Sequence, residues 1–221
     1  MKVRTWGIAA LAGMMLAAAW ADPAAAQPRT RRPAWKPRLM VTAGGSVWSP
    51  GSEDKERFLA SFGGSLTAIY WARWNTQLAL SLGYSPLNTD QFYWKPEALQ
   101  DTTVDVWEVE GSLWTVSAEI RQMFPTDQVN YLYLGAGVDF YYFGDVEGRW
   151  EAYGTAQPLQ GNIVAQRDPS QAFGLHASPG LFFLFHPRVP VDIALRLHLL
   201  YDGEETAFWL QPTFNLGYRI F

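Results

Sequence analysis

The last stretch of the chain, Phe208 to Phe221 (FWLQPTFNLGYRIF), sorts its residues with a period of two. Phe208, Leu210, Pro212, Phe214, Leu216, Tyr218 and Ile220 form one series, and Trp209, Gln211, Thr213, Asn215, Gly217 and Arg219 form the other. One series is apolar and the other mostly polar or small. Successive side chains of a pleated strand point to opposite faces, so the pattern predicts a long β-strand. A helix, turning about 100° per residue, would mix the two series.

The same period recurs from residue 39 onward, with no helical stretch between repeats. Segment one is Leu39 to Trp48. Segment two, Phe58 to Trp71, sets Phe62, Leu66, Ala68 and Tyr70 against Ser61, Gly63, Ser65 and Thr67. Segment three, Gln77 to Ser85, sets Leu78, Leu80, Leu82 and Tyr84 against Ala79, Ser81, Gly83 and Ser85. Segment four, Val104 to Met123, alternates cleanly in its lower half and is less tidy above, where a bulge near Gly111 is expected. Segments five (Val129 to Phe143), six (Ala172 to Phe185) and seven (Val189 to Tyr201) follow the same rule, and the terminal stretch is the eighth.

The connections alternate as well. Arg73 to Thr76, Pro125 to Gln128 and His186 to Arg188 are tight turns, whereas Pro86 to Thr103 and Gly144 to Gln171 are long and polar. An up-and-down antiparallel meander places the short links at one end and the long ones at the other. That asymmetry is the pattern of an outer-membrane barrel, with turns on the periplasmic side and loops outside.

The beginning of the chain agrees. Lys2 and Arg4 precede an apolar run from Trp6 to Trp20, and Ala24-Ala25-Ala26 offers a cleavage site before Gln27. This is the design of a secretory signal peptide over residues 1–26, with a cut after Ala21 as the other option. The run is shorter than the ~20 residues a membrane helix needs. Residues 27–37 form a Pro- and Arg-rich lead-in, which could alternatively act as a basic arm toward anionic lipid or peptidoglycan. With no Cys in the chain there is neither a lipidation thiol nor a disulfide framework. Residues 39–221 carry ten Lys or Arg against twenty Asp or Glu, an acidic balance that argues against nucleic-acid binding.

Alternation alone leaves open which face points inward. A water-soluble lipocalin-like carrier also has eight strands, with its apolar face inside. Two features favour the inverse, lipid-facing arrangement. The series opposite the Leu and Phe residues is rich in Gly, Ser and Ala rather than in Lys and Glu, and Phe58, Tyr70, Tyr84, Tyr142, Phe185, Tyr201 and Tyr218 sit near segment ends as interfacial girdles would.

Together with fragments such as YLYLGAGVDFYY and LHASPGLFF, this pattern resembles the OmpA-type small outer-membrane barrels over residues 38–221. The resemblance implies an all-β, eight-stranded, antiparallel up-and-down transmembrane barrel in the bacterial outer membrane. It further implies contact with outer-membrane lipid and lipopolysaccharide, and a monomer. Phe214, Leu216, Tyr218, Ile220 and Phe221 would form the assembly signal read by the barrel-assembly machinery. The apolar series ends at Ile220, so Phe221 has the opposite parity.

A barrel of eight strands has room inside for side chains but not for a wide channel, and charges there must pair. Glu119, Arg121, Asp139, His176, Asp192, Arg196, His198 and Arg219 fall on the inward series and are expected to form a polar network that plugs the interior. Asp192 and Arg219 are the expected ion pair, since their strands are sequential and their heights match. His176-Ala177-Ser178 resembles the His-x-Ser motif of lipid A deacylase barrels, in which His activates a Ser nucleophile. Here both residues share the inward parity and Pro190, not an acid, lies twelve residues on. The acidic links, which hold Glu53, Asp54 and Glu56, Asp90, Glu97, Asp101 and Asp105, Asp145, Glu147, Glu151 and Asp168, and Asp202, Glu204 and Glu205, lack calcium-loop spacing. No phosphate loop, zinc-type cluster or cofactor fingerprint is present. The expected role is structural or surface-binding, with no cofactor, metal or catalytic residue; a narrow regulated pore and a lipid A-modifying enzyme are the alternatives.

Overall fold

The computed structural model describes residues 38–51, 59–88, 103–126, 130–153, 159–165, 170–201 and 206–221, without the side chains of 103–109, 150–153, 159–160 and 163–165. The expected signal peptide, the lead-in and most acidic link residues lie outside them. The described residues form ten strands: β1 (Arg38–Pro50), β2 (Ser61–Arg73), β3 (Thr76–Asn88), β4 (Thr103–Pro125), β5 (Asn130–Phe143), β6 (Val146–Tyr153), β7 (Leu159–Ala165), β8 (Gln171–His186), β9 (Val189–Tyr201) and β10 (Thr206–Arg219).

Eight of them close into an antiparallel barrel in the order β3-β2-β1-β10-β9-β8-β5-β4, sealed by β3 against β4. The eight expected segments are these eight strands. Closure of the first strand on the last runs from Met40↔Arg219 to Pro50↔Trp209 and continues past the strand end, where the Leu39 amide donates to the Phe221 carbonyl and the Ile220 amide donates to the Leu39 carbonyl. Full closure leaves no exposed sheet edge in the wall, the condition for a β-structure in hydrocarbon. Pro179, which has no amide hydrogen to give, coincides with a gap in the β8–β9 ladder between Ala177↔Leu197 and Gly180↔Ala194.

The long link from residue 144 to 171 is not the simple loop its polarity suggests. It contains the hairpin β6–β7, and β6 pairs with the upper half of β4 from Thr103↔Tyr153 to Glu110↔Glu147. β4 therefore has 23 residues, about twice the 9–11 that a strand crossing requires, and continues beyond the barrel rim. The irregularity expected near Gly111 is a register shift between Trp107 and Glu110 on the β6 side, where the strand changes partner.

The apolar series faces outward. Leu80, Leu134 and Leu195 are 58%, 41% and 41% exposed, whereas Asp139 and Arg196 are 3% and 4% exposed. A lipocalin-like cup requires the opposite, so the water-soluble alternative is excluded. Tyr70, Tyr84, Tyr142, Phe185, Tyr201 and Tyr218 also lie on the outer surface, with Tyr84 and Trp114 rings 4.8 Å apart. A continuous wall of exposed Leu, Phe, Val and Tyr is a surface for acyl chains, not for water.

Candidate functional site: the barrel interior

Inward positions follow from strand parity, and the filling they create has three layers. Toward the long-link end, Trp48, Leu87, Leu113, Tyr141, Phe143, Ala172, Leu200 and Trp209 pack into one apolar cluster. Trp48 lies edge-on to Trp209 and Tyr141, with centroids 6.0 and 6.2 Å away. Toward the tight-turn end, Met40, Ile69, Trp71, Ala79, Met123, Tyr133, Phe182 and Ala194 form a second apolar cluster. The charged residues are held between the two. The interior is thus not a purely polar plug, as the inward Gly, Ser and charged positions suggested; aromatic side chains on the same parity close it above and below.

In the middle layer Arg121 is the hub. Its Nη1 donates to Asp192 Oδ2 and its Nη2 to Glu119 Oε2, each at 3.0 Å, and its guanidinium carbon lies 4.6 Å from the centre of the Tyr133 ring. The Tyr133 hydroxyl donates to the other Asp192 oxygen at 2.7 Å. Glu119 also accepts from Arg196 Nη2 at 3.5 Å and from the Ser178 hydroxyl. Small residues make the space: a Cβ on Gly135 would run into Glu119 Oε1 and Ser178 Oγ. A buried ion costs several kcal/mol unless it is paired, and here each Arg121 Nη atom and both Asp192 oxygens have a partner, while Arg121 Nε and Arg196 Nε have none.

The expected Asp192–Arg219 pair does not form. Asp192 is committed to Arg121 and Tyr133, and Arg219 sits half-buried at the turn end, where its backbone amide donates to the Arg188 carbonyl. Height matching identified the right layer for Asp192 but the wrong cation, because Arg121 reaches across the bore from β4 whereas Arg219 lies too near the rim.

The second group in this layer is Asp139, His176 and His198, from β5, β8 and β9. His176 and His198 are directly opposite in the ladder. His176 Nδ1 is 2.9 Å from both Asp139 oxygens, His198 Nδ1 is 3.0 Å from Asp139 Oδ2, and the Tyr141 hydroxyl is 2.9 Å from that oxygen and 2.8 Å from His198 Nδ1. His198 Nε2 is 3.0 Å from Gln211 Oε1, and Gln211 Nε2 donates to Ser46 Oγ at 3.1 Å. The sequence holds no local His cluster; three strands bring these residues together. Tyr133, Tyr141 and Gln211 were not among the expected network, although their inward parity was visible.

Ser178 is bonded to Glu119 and His176 to Asp139, so the His-x-Ser pair does not form a nucleophile and base. Both side chains are enclosed in the wall's interior, away from any lipid substrate.

Closure, outward apolar residues and a filled bore together decide the architecture. The fold is that of the small outer-membrane β-barrels. No family model matches the chain, and no curated protein matches it in sequence. Among solved structures it is similar to the attachment invasion locus protein Ail of Yersinia pestis, in complex with the heparin analogue sucrose octasulfate. That match has 14% identity, covers 84% of this chain and 100% of Ail, and has a TM-score of 0.48. Neisserial surface protein A matches at 14% identity, covering 82% of this chain and 96% of its own, with a TM-score of 0.48. OprG from Pseudomonas aeruginosa matches at 10% identity, covering 83% and 95%, with a TM-score of 0.49.

Proposed function

We propose that this chain is a monomeric outer-membrane protein of a bacterial envelope, delivered by a signal peptide over residues 1–26, whose barrel is a closed anchor and whose work is done at the cell surface. The observation that carries the reading is the filled bore: an aromatic layer, a charged layer and a second aromatic layer occupy it among the described residues, which supports a barrel closed to solutes. No reaction is assigned to it. In support of a surface role, the longest strand carries β6 and β7 beyond the rim as a three-stranded extension, an ordered platform of the kind a membrane anchor alone does not need. Its partners on this reading are lipopolysaccharide and outer-membrane lipid around the wall, and the barrel-assembly machinery, which would read Phe214, Leu216, Tyr218, Ile220 and Phe221 during insertion.

The test is electrical and topological. Purified protein inserted into planar bilayers should give no discrete conductance steps, and trypsin added to intact cells should cut at Arg149 or Arg167 around the β6–β7 segment. Reproducible channels would overturn the closed-anchor reading and favour a narrow regulated pore.

A further inference from the structure

We propose that Asp139, His176 and His198 form a divalent transition-metal site inside the barrel, Zn²⁺ being the expected ion, with the Tyr141 hydroxyl as the fourth ligand.

The geometry is the first support. One donor atom from each of the three residues lies within 4.8 Å of the others, and all three residues are buried. The His176 and His198 Nδ1 atoms approach the Asp139 carboxylate to 2.9 and 3.0 Å. Ligands bound at the usual ~2.0–2.2 Å around a tetrahedral zinc stand roughly 3.3 Å apart, so an ion would widen each Asp139–His contact by a few tenths of an ångström. The Tyr141 oxygen, 2.9 Å from Asp139 Oδ2 and 2.8 Å from His198 Nδ1, lies close enough to serve as a fourth donor.

The second support is independent of the spacing and concerns protons. The Gln211 amide nitrogen is engaged by Ser46 Oγ, which leaves its oxygen facing His198 Nε2. With the amide in this orientation that nitrogen carries the hydrogen, and a neutral ring then turns its Nδ1 lone pair toward Asp139 Oδ2 and the Tyr141 hydroxyl. This lone pair faces a carboxylate oxygen at 3.0 Å. Two electron pairs directed at one another in a dry interior repel unless a metal ion or a second ring proton stands between them.

The charge balance points the same way. Among the described residues, the buried charged groups are the carboxylates Glu119, Asp139 and Asp192 against the guanidiniums Arg121 and Arg196. The three carboxylates outnumber the two guanidiniums, and the surplus negative charge is local to Asp139, which is bonded to neither Arg. Imidazole nitrogen with carboxylate and phenolate oxygen is a donor set suited to zinc, iron or copper rather than to calcium or magnesium. The outer shell fits as well: His198 Nε2 is oriented by Gln211, and His176 Nε2, which has no hydrogen-bond partner, lies 3.9 Å from Glu119 Oε2. Metal-bound histidines ordinarily give their second ring nitrogen such an acceptor. Because the Trp48–Trp209 layer covers the site, the ion would be captured as the barrel closes.

The full chain, refolded in detergent with Zn²⁺, with Co²⁺ or with a chelator and then freed of loose metal by gel filtration, tests the assignment. One Zn²⁺ per chain is expected by elemental analysis, together with the intense visible bands of tetrahedral Co²⁺ and a thermal transition higher than that of the chelator-treated protein. Asp139→Asn and His198→Gln should each lose the bound metal. Gln211→Ala should weaken it about 10–100-fold while leaving the gel mobility of a folded barrel intact. Should the ligand variants fail to fold, Gln211→Ala and Tyr141→Phe still discriminate, the latter by weakening the Co²⁺ bands. Folded wild-type protein that emerges without metal, or metal content that survives both Asp139→Asn and His198→Gln, overturns the site; a protonated histidine would then be the missing cation.

Discussion

Replacing Arg121 with methionine keeps most of the side-chain volume and removes the charge that holds two carboxylates. Asp192 would retain the Tyr133 hydroxyl, and Glu119 would retain Ser178 and Arg196. Breaking a buried ion pair from one side costs about 3–5 kcal/mol. These surviving partners place the expected loss at the lower end, about 3 kcal/mol, or roughly two decades in the unfolding constant. Asp192→Asn on its own should cost less, since its Tyr133 bond survives. The decisive variant is the pair Arg121→Met with Asp192→Asn. It removes one charge of each sign, so it should be more stable than the Arg121→Met protein, with a coupling of about 1–3 kcal/mol. Reversible urea unfolding in lipid vesicles, followed by tryptophan fluorescence, measures all three. Strict additivity, or an Arg121→Met cost below about 1 kcal/mol, would refute the claim that Arg121 is the electrostatic hub of the bore.

Gly135→Ala should destabilise the barrel by about 1–3 kcal/mol, because its Cβ meets Glu119 and Ser178, whereas Gly45→Ala, whose nearest neighbour is the Gly63 carbonyl at 3.8 Å, should be close to neutral in the same unfolding assay. Leu80→Arg, on the outer wall, should cost about 2–4 kcal/mol in vesicles, the penalty for a charge near the bilayer midplane; a neutral result would argue against lipid contact there. Trp209→Ala should cost about 3–5 kcal/mol by cavity formation yet open no channel in planar bilayers, since the middle and lower layers remain. Removing Phe221 loses one backbone bond, from the Leu39 amide, so it should barely change the refolded barrel's stability while lowering its yield in the outer membrane, measured by cell fractionation and a heat-modifiability gel.

The wall of the barrel was legible because its signal is local and strict. Once Leu78, Leu80 and Leu82 share one face, Ala79, Ser81 and Gly83 must share the other, and each strand repeats the test independently. The interior was legible only as a set of residues. Asp192 and Arg219 lie on neighbouring strands, but a partner inside a narrow bore is found across the bore, and side chains as long as Arg121 from β4 reach Asp192 from β9. Sequence order carries no information on which strands face one another across the axis until shear and tilt are known. The β6–β7 hairpin was missed for another reason: Val146 to Ala165 mixes Glu, Arg, Gln and Asn with Trp, Tyr and Val. Val146, Gly148, Trp150 and Ala152 do alternate with Glu147, Arg149, Glu151 and Tyr153, but the run is short and sits in a long polar link, so its period does not stand out.

The layering explains how so acidic a chain tolerates ions in its centre. Arg121, Glu119 and Asp192 are shielded from bulk water, because Trp48, Tyr141 and Trp209 lie on one side and Trp71, Tyr133 and Phe182 on the other. Low local dielectric strengthens each Arg–carboxylate contact and raises the penalty for losing one, so the middle layer is held in a single arrangement. Tyr133 and Tyr141 join the layers, since each ring belongs to an apolar cluster while its hydroxyl bonds a carboxylate, Asp192 and Asp139 respectively. Their removal tests the coupling directly. Tyr133→Phe leaves the lower cluster's shape unchanged but deprives Asp192 of a donor, so its cost should be about 1–3 kcal/mol and should shrink when Asp192 is already asparagine. Equal costs in the two backgrounds would mean that the aromatic and charged layers are merely adjacent, each stable without the other.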